Sequence, residues 1–498
     1  MAGERRVIVV GAGLGGLAVA AHLARGGCRV TVLEKEPRPG GRLGLVEREG
    51  FRFDSGPTLY LMPELFEETF AALGRRRADY YELLKVDPNY RIHFHDGTHL
   101  TLHTDLAAME RELERLEPGV TPRYLRFLAE GGRNYQLAVE RFLSRNFHSL
   151  GEFLAPAHLP LFFRLQVLRR HYARAARYFR SDRLRRAMTF QTMYLGASPF
   201  DSLATYTLLQ YAELVKGIHY PRGGMYAVVE ALVRILREER VELLCGAPVR
   251  EIALQGRHVK GVVLQDGTFL PAEAVVANAD LPYVYDRLLA HPLAARLACR
   301  LKRLRYTSSA VMFYWGLRGR YDAQLPAHHN VFLAADYRGS FQQIFRQYRP
   351  PVDPSFYIST PVRTDPTAAP PGQEAWVVLV PVGHLRPGLE IDWPAEAERI
   401  RAHVLGRLAQ IGLEGLEPQI VCQASWTPRD YVDSLNLMMG SAFSLSHNLA
   451  QVGYLRPHNR SAEFPGLYFV GGSTHPGTGL PLVLVSARLT AERLLGGR

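Results

Sequence analysis

The chain has 498 residues, 47% hydrophobic and 22% charged, which excludes a disordered or fibrous protein and leaves room for two or three domains with a large core. Its formal net charge is +12, and only five of its 60 basic residues are lysine. That balance suits nucleic acid, an anionic membrane surface or a merely arginine-rich composition, but no zinc-finger pattern or basic tail supports a nucleic-acid partner. Cys28, Cys245, Cys299 and Cys422 are scattered, which argues against a disulfide framework or a Cys-based zinc site and fits a reducing, cytoplasmic compartment.

Val7 to Val10 is a continuous apolar run, as in a parallel strand buried on both faces. Gly11, Gly13 and Gly16 follow as G-x-G-x-x-G, then a helix to Arg25, then a second strand ending at Glu34. In such a βαβ unit Gly11 allows the tight turn, Gly13 lets the backbone approach a pyrophosphate, and Gly16 lets helix pack on strand. The helix N-terminus favours the phosphates, and Glu34 is placed to accept hydrogen bonds from both ribose hydroxyls. A ribose phosphate would be repelled there, which disfavours NADP. These glycines also argue against reading Val7 to Ala24 as a signal peptide, and no other apolar stretch is long enough to predict a membrane span.

Gly40-Gly41-Arg42 and Asp54-Ser55-Gly56-Pro57-Thr58 come next. They resemble segments of the FAD-dependent amine oxidase and carotenoid desaturase superfamily, in which the glycines admit the cofactor's phosphate end and Arg42 offers a permanent planar cation. Tyr90 to Thr104 reads as a hairpin about Asp96-Gly97, and His93, His95, His99 and His103 are expected on its exposed face rather than on a metal. Leu106 to Arg186 reads as mostly helical. Strands are expected at Val241 to Val263, Ala274 to Ala277, Ala310 to Trp315, Ala375 to Val382 and Ile420 to Trp426, with a helix from Ala395 to Ile411. Tyr468-Phe469-Val470 runs into Gly471-Gly472-Ser473-Thr474-His475-Pro476-Gly477 and a last helix to Leu495, repeating the strand–glycine–helix arrangement of the N-terminus.

Tyr220-Pro221-Arg222-Gly223-Gly224-Met225, Asn278-Ala279-Asp280, Gly440 to Ser444, Arg456-Pro457-His458-Asn459 and Gly472 to Gly477 together resemble the bacterial phytoene desaturase family over nearly the whole chain. The resemblance implies an α/β fold: a Rossmann-like FAD-binding domain built from residues 1–80, 215–304 and 435–498, a helical lid region at 81–214, and a mixed-sheet substrate domain at 305–434. It implies non-covalent FAD held by Gly11, Gly13, Gly16, Glu34, Arg42, Val249 through its backbone, Gly472 and Gly477. Where many superfamily members carry an acid after the C-terminal glycine pair, this chain has Ser473. The implied activity is dehydrogenation of a long isoprenoid polyene: hydride passes to flavin, the allylic cation is delocalised, and a neighbouring proton leaves. The flavin is then reoxidised by oxygen or a quinone.

Other carotenoid enzymes on the same scaffold, a 3,4-desaturase, isomerase or oxygenase, are the nearest alternatives. Amine oxidases carry a lysine near the flavin where this chain has Ser308-Ser309, and a prenyl-binding protein would not need the flavin motifs. Glu213 is a candidate proton acceptor or cation stabiliser, or a member of a structural ion pair. His475 either touches flavin or substrate or holds its loop. Leu159 to Arg180, read as one helix, puts Leu161, Leu165, Leu168, Tyr172 and Phe179 on an apolar stripe with arginines beside it, the pattern of an interfacial helix. A carotenoid substrate, a membrane surface and a cytoplasmic, peripherally membrane-associated protein are the corresponding expectations.

Overall fold

The apolar run at Val7 forms the middle of the cofactor-side sheet. A computed structural model, which describes residues 5–496, places strand Arg6–Val10 between Ala274–Ala277 and Arg29–Leu33. Leu467–Phe469 and Glu242–Leu244 complete an all-parallel, five-stranded sheet. Both faces are covered, which is why its strands read as unbroken apolar runs. Val7 and Val9 point to one core, with helices Leu14–Arg25, Ala227–Glu238 and Leu480–Leu495. Ile8 and Val10 point to the other, with helix Pro292–Lys302 and the antiparallel sheet Val249–Gln255, His258–Leu264, Phe269–Pro271. Helix Leu14–Arg25 is buried nearly all round because it lies between the sheet and two other helices.

A seven-stranded mixed sheet forms the second half, in the order Ile420–Trp426, Ser309–Arg318, Gln373–Val382, Phe356–Ser359, His329–Phe332, Tyr90–His93, His99–Leu102. Helix Trp393–Ala409 covers one face, burying Ile400, Val404 and Leu408 against Trp315 and Trp376. The hairpin expected at Tyr90 is present, but His93 is not on an exposed face. It is buried and stacked on Phe332, 4.3 Å between ring centroids, because strand Tyr90–His93 pairs in parallel with His329–Phe332 rather than standing as a lone ribbon. Burial pushes its pKa down to about 3.

The single helix expected from Leu159 to Arg180 is broken. Helix Leu159–Arg164 ends before Gln166, whose φ is 52°, and a separate short helix, His171–Ala175, starts anew beyond it. The backbone at the start of that second helix is captured by another segment, with the His171 and Tyr172 amides donating to the Ser202 and Pro199 carbonyls at 2.9 and 3.1 Å. The expected stripe is therefore split. Leu165 and Phe179 are buried, while Leu168 is 78% exposed.

Candidate functional site

In an open parallel sheet ligands bind beyond the C-terminal ends of the strands. The residues that leave those ends here, Gly11, Glu34, Asn278 and Gly471, all line one cavity of about 1400 Å³. Two helices begin at that cavity, at Leu14 and Leu480. Neither has a side-chain cap, so their first-turn N–H groups remain available to an anion. The glycines do what their spacing predicts. Gly11 has φ 97°, and a Cβ on Gly16 would overlap the Gly11 carbonyl oxygen, while one on Gly13 would come within 2.8 Å of Asn278 Nδ2. Gly16 thus shapes the turn from behind and does not itself line the cavity.

Glu34 is buried at the cavity, and its two carboxylate oxygens accept from the Ala12 and Glu36 amides at 2.7 and 3.0 Å. Each oxygen keeps a lone pair for a further donor, as a ribose diol requires. Arg42 lines the same space, donates Nη1 to the Ala442 carbonyl at 3.2 Å, and has no carboxylate bound to it among the described residues. Burial pulls its pKa down, and the nearby Asp280 partly offsets this. A half-buried cation with no carboxylate bound to it fits a phosphate-bearing ligand. Val249 also lines the cavity, beside Ala247 and Pro248. The residues present therefore fit FAD.

At the C-terminal loop, Gly472 lines the cavity, where a Cβ would lie 3.3 Å from Arg42 Nη2. Gly477 does not line it; with φ 141°, it makes room for His447, whose Nε2 accepts from the Thr478 amide at 3.1 Å. Ser473 stands where the superfamily acid is missing, and the fold supplies a carboxylate from elsewhere. Asp280, buried on the cavity wall, accepts from the hydroxyls of Ser473 and Ser444 and from the Met438 amide at 3.0 Å. In the sequence Asp280 stands out only as the end of the Asn278-Ala279-Asp280 turn. Its signal was its position just past the end of a buried strand. Arg456 is a second organiser that went unassigned: fully buried, it donates to the carbonyls of Leu445, Ser446, Gln451, Gly472 and Thr474.

The cavity continues past this cradle between the two sheets, lined mainly by aliphatic, aromatic and methionine side chains, among them Met193, Leu208, Val331, Phe341 and Leu379. Lys35, beside Glu34, is the one lysine on its wall among the described residues. Strand Ser309–Arg318 brings Ala310 and Met312 to the wall, while Ser309 turns away to the Gly440 carbonyl. His475 lines the cavity, and its Nε2 donates to the Arg145 carbonyl at 3.0 Å; burial pushes its pKa down to about 4. Glu213 is fully buried behind the wall, with Tyr90 donating to Oε1 at 3.2 Å. It makes no ion pair among the described residues, and burial raises its pKa to about 8. No three or more His, Cys, Asp or Glu side chains converge on a metal-sized site among the described residues.

The family model for flavin containing amine oxidoreductases matches residues 14–495. A zeta-carotene-forming phytoene desaturase of Myxococcus xanthus is 50% identical over 99% of this chain and 94% of its own length. The phytoene desaturase of Phycomyces blakesleeanus is 42% identical over 99% of this chain and 86% of its own. Among solved structures, an oxidoreductase from Methanosarcina mazei superposes with a TM-score of 0.64 at 15% identity, covering 98% of this chain and all of that one; at that identity it speaks for the fold alone. With a dinucleotide cradle, a long apolar cavity, a family model matching residues 14–495 and a half-identical phytoene desaturase over 99% of its length, the chain belongs to the flavin containing amine oxidoreductase family, in its carotenoid desaturase branch.

Proposed function

We propose that the protein is an FAD-dependent desaturase acting on an acyclic, phytoene-type carotene. The observation that carries this reading is the cavity. At about 1400 Å³ it exceeds the roughly 300–1,000 Å³ of an ordinary small-molecule site, and its apolar part opens directly from the cofactor cradle. Bound FAD supplies a two-electron oxidant that takes hydride from carbon. The chain does the rest. Gly11, Gly13, Glu34, Arg42, Val249, Asp280 and Gly472 hold the cofactor along one wall. The aliphatic and aromatic walls orient the polyene and exclude water, leaving the nascent allylic cation no nucleophile to add.

Membrane docking belongs to the same reading. Leu154, Leu168, Leu449 and Leu455 line the cavity and are also exposed, so they rim its mouth; Arg164, Arg169 and Arg170 are exposed in the same segment as Leu168. An apolar rim flanked by cations suits an anionic bilayer surface, from which a carotene can enter without crossing water. Reoxidation by oxygen or by a membrane quinone is compatible with that location.

The test is purified protein reconstituted with FAD and supplied with phytoene in liposomes, followed by chromatography with diode-array detection. Products absorbing at progressively longer wavelength are expected as conjugation lengthens. Oxidation of polyamines with no change in any carotene would overturn the reading.

A further inference from the structure

The wall of the apolar cavity is backed at one place by a directional chain of hydroxyl groups. Tyr194, from the 3-10 turn Phe190–Leu195, lines the cavity and donates its phenol proton to Tyr90. Tyr90, from strand Tyr90–His93, donates in turn to Glu213 Oε1 at 3.2 Å, on helix Thr207–Leu214. Both phenol protons thus point toward the carboxylate. Glu213 Oε2 has no hydrogen-bond partner among the described residues. The Asn89 side chain fixes the helix at this point by donating to the Glu213 backbone carbonyl at 2.7 Å.

A buried acid without a cation is costly to keep ionised, and a glutamine would accept the Tyr90 hydrogen bond without that cost. Packing therefore does not explain why an acid stands here, whereas a reversible proton site does. We propose that Glu213 receives the proton released at each desaturation, through Tyr194 and Tyr90. The inference rests on the desaturase reading above. In the step, the C–H bond next to the allylic cation breaks and its electron pair forms the new double bond. The proton goes to the Tyr194 oxygen as the Tyr194 proton passes to Tyr90 and the Tyr90 proton to Glu213. The two electrons of the oxidation leave with the hydride, for which FAD held in the cradle would be the acceptor. Tyr194 is the group that faces substrate; Tyr90 and Glu213 act through it.

Burial raises the acid to about 8, while Gln191, Tyr90 and Tyr194 pull it back toward the ordinary range. The other titratable groups near Tyr90 are His329, with ring centroids 5.5 Å apart, and Tyr357, which hydrogen-bonds His329 Nδ1 at 2.6 Å. Burial keeps His329 neutral, so neither adds a charge near neutrality. The accepting form is the carboxylate, so turnover limited by this step rises with pH, by roughly tenfold or more between pH 6.5 and 8.5.

The test has two arms. Infrared titration of the FAD-loaded protein without substrate is expected to show a protonated carboxyl band that fades near pH 8 and is missing from Glu213→Gln; absence of a Glu213-dependent band above pH 6 overturns the proposal. In the second arm, Glu213→Gln and Tyr194→Phe are expected to retain FAD and to lose roughly a hundredfold in phytoene turnover together with its rise with pH. Full turnover with the parent pH profile in Tyr194→Phe, a substitution that removes only an oxygen, overturns it as well. A parent protein that leaves every carotene unchanged overturns the desaturase reading instead, and the infrared arm does not depend on it.

Discussion

Glu34 joins two loops as well as offering itself to a ribose. Its carboxylate holds the Ala12 and Glu36 amides, so its loss disorders the turn and removes the ribose acceptor together. Charged hydrogen bonds contribute about 1.5–3 kcal/mol each, so Glu34→Ala is expected to weaken FAD binding at least about tenfold in a fluorescence titration. Arg456 plays the matching part at the C-terminal loop. Arg456→Met leaves five carbonyl acceptors short of a donor in a buried site, and denaturant unfolding is expected to register a loss of at least about 3 kcal/mol. Buried histidines set the acid limit. Burial holds His93, His171 and His328 down to about 3 and His22 and His475 to about 4, from an ordinary value of 6.5. Below pH 6.5 the unfolded chain binds protons that the folded one refuses, so stability falls as pH drops toward 4 and is insensitive to these groups above about 7. Each contributes up to about 1.4 kcal/mol per pH unit in that window, and melting temperature measured from pH 8 to 4.5 checks it.

At the level of elements, the strand–glycine–helix unit leaves no slack. Gly16→Ala drives a Cβ into the Gly11 carbonyl, so helix Leu14–Arg25 must shift from the sheet and from helix Leu480–Leu495. The expected result is a folded protein with little bound FAD, read as the flavin-to-protein absorbance ratio; normal FAD content would contradict this account of the turn. This unit was legible in the sequence because its determinants are local: a four-residue apolar run, glycines at fixed spacing and an acid at the next strand's end. The strands Ser309–Arg318, Gln373–Val382 and Ile420–Trp426 were legible for the same reason, as long β-branched and aromatic runs. What was not legible depended on distant partners. Strands His329–Phe332 and Phe356–Ser359 are short and acquire their identity by pairing, and His93 is interior only because one of them lies beside it. The helix expected through Arg170 failed because residues 198–204 compete for its backbone. Asp280 was visible as a residue, but its partnership with Ser473 spans 193 positions, and no local pattern encodes it.

For the whole molecule, the remaining problem is delivery. A carotene has no useful solubility in water, and no helix among the described residues is long and apolar enough to cross a membrane. In the docking proposed above, the cavity mouth meets the bilayer from one side. The broken helix changes which residues do this: Leu165 is committed to an interior cluster with Phe142, Phe147 and Phe153, whereas Leu168, Leu154 and Leu455 project at the rim. Inserted leucines contribute in proportion to buried area, and each arginine near an anionic surface adds about 1 kcal/mol. Binding to anionic liposomes is therefore expected to weaken with salt without vanishing, because only the arginine contribution is screened. Replacing Leu154, Leu168 and Leu455 together by serine removes the apolar contribution and touches neither cradle nor relay. Co-sedimentation with liposomes and turnover of liposome-borne phytoene are expected to fall together, while FAD content stays at the parent level and turnover of detergent-solubilised phytoene falls less. If the triple variant binds anionic liposomes as the parent does, the rim is not the docking surface, and the carotene enters by another face.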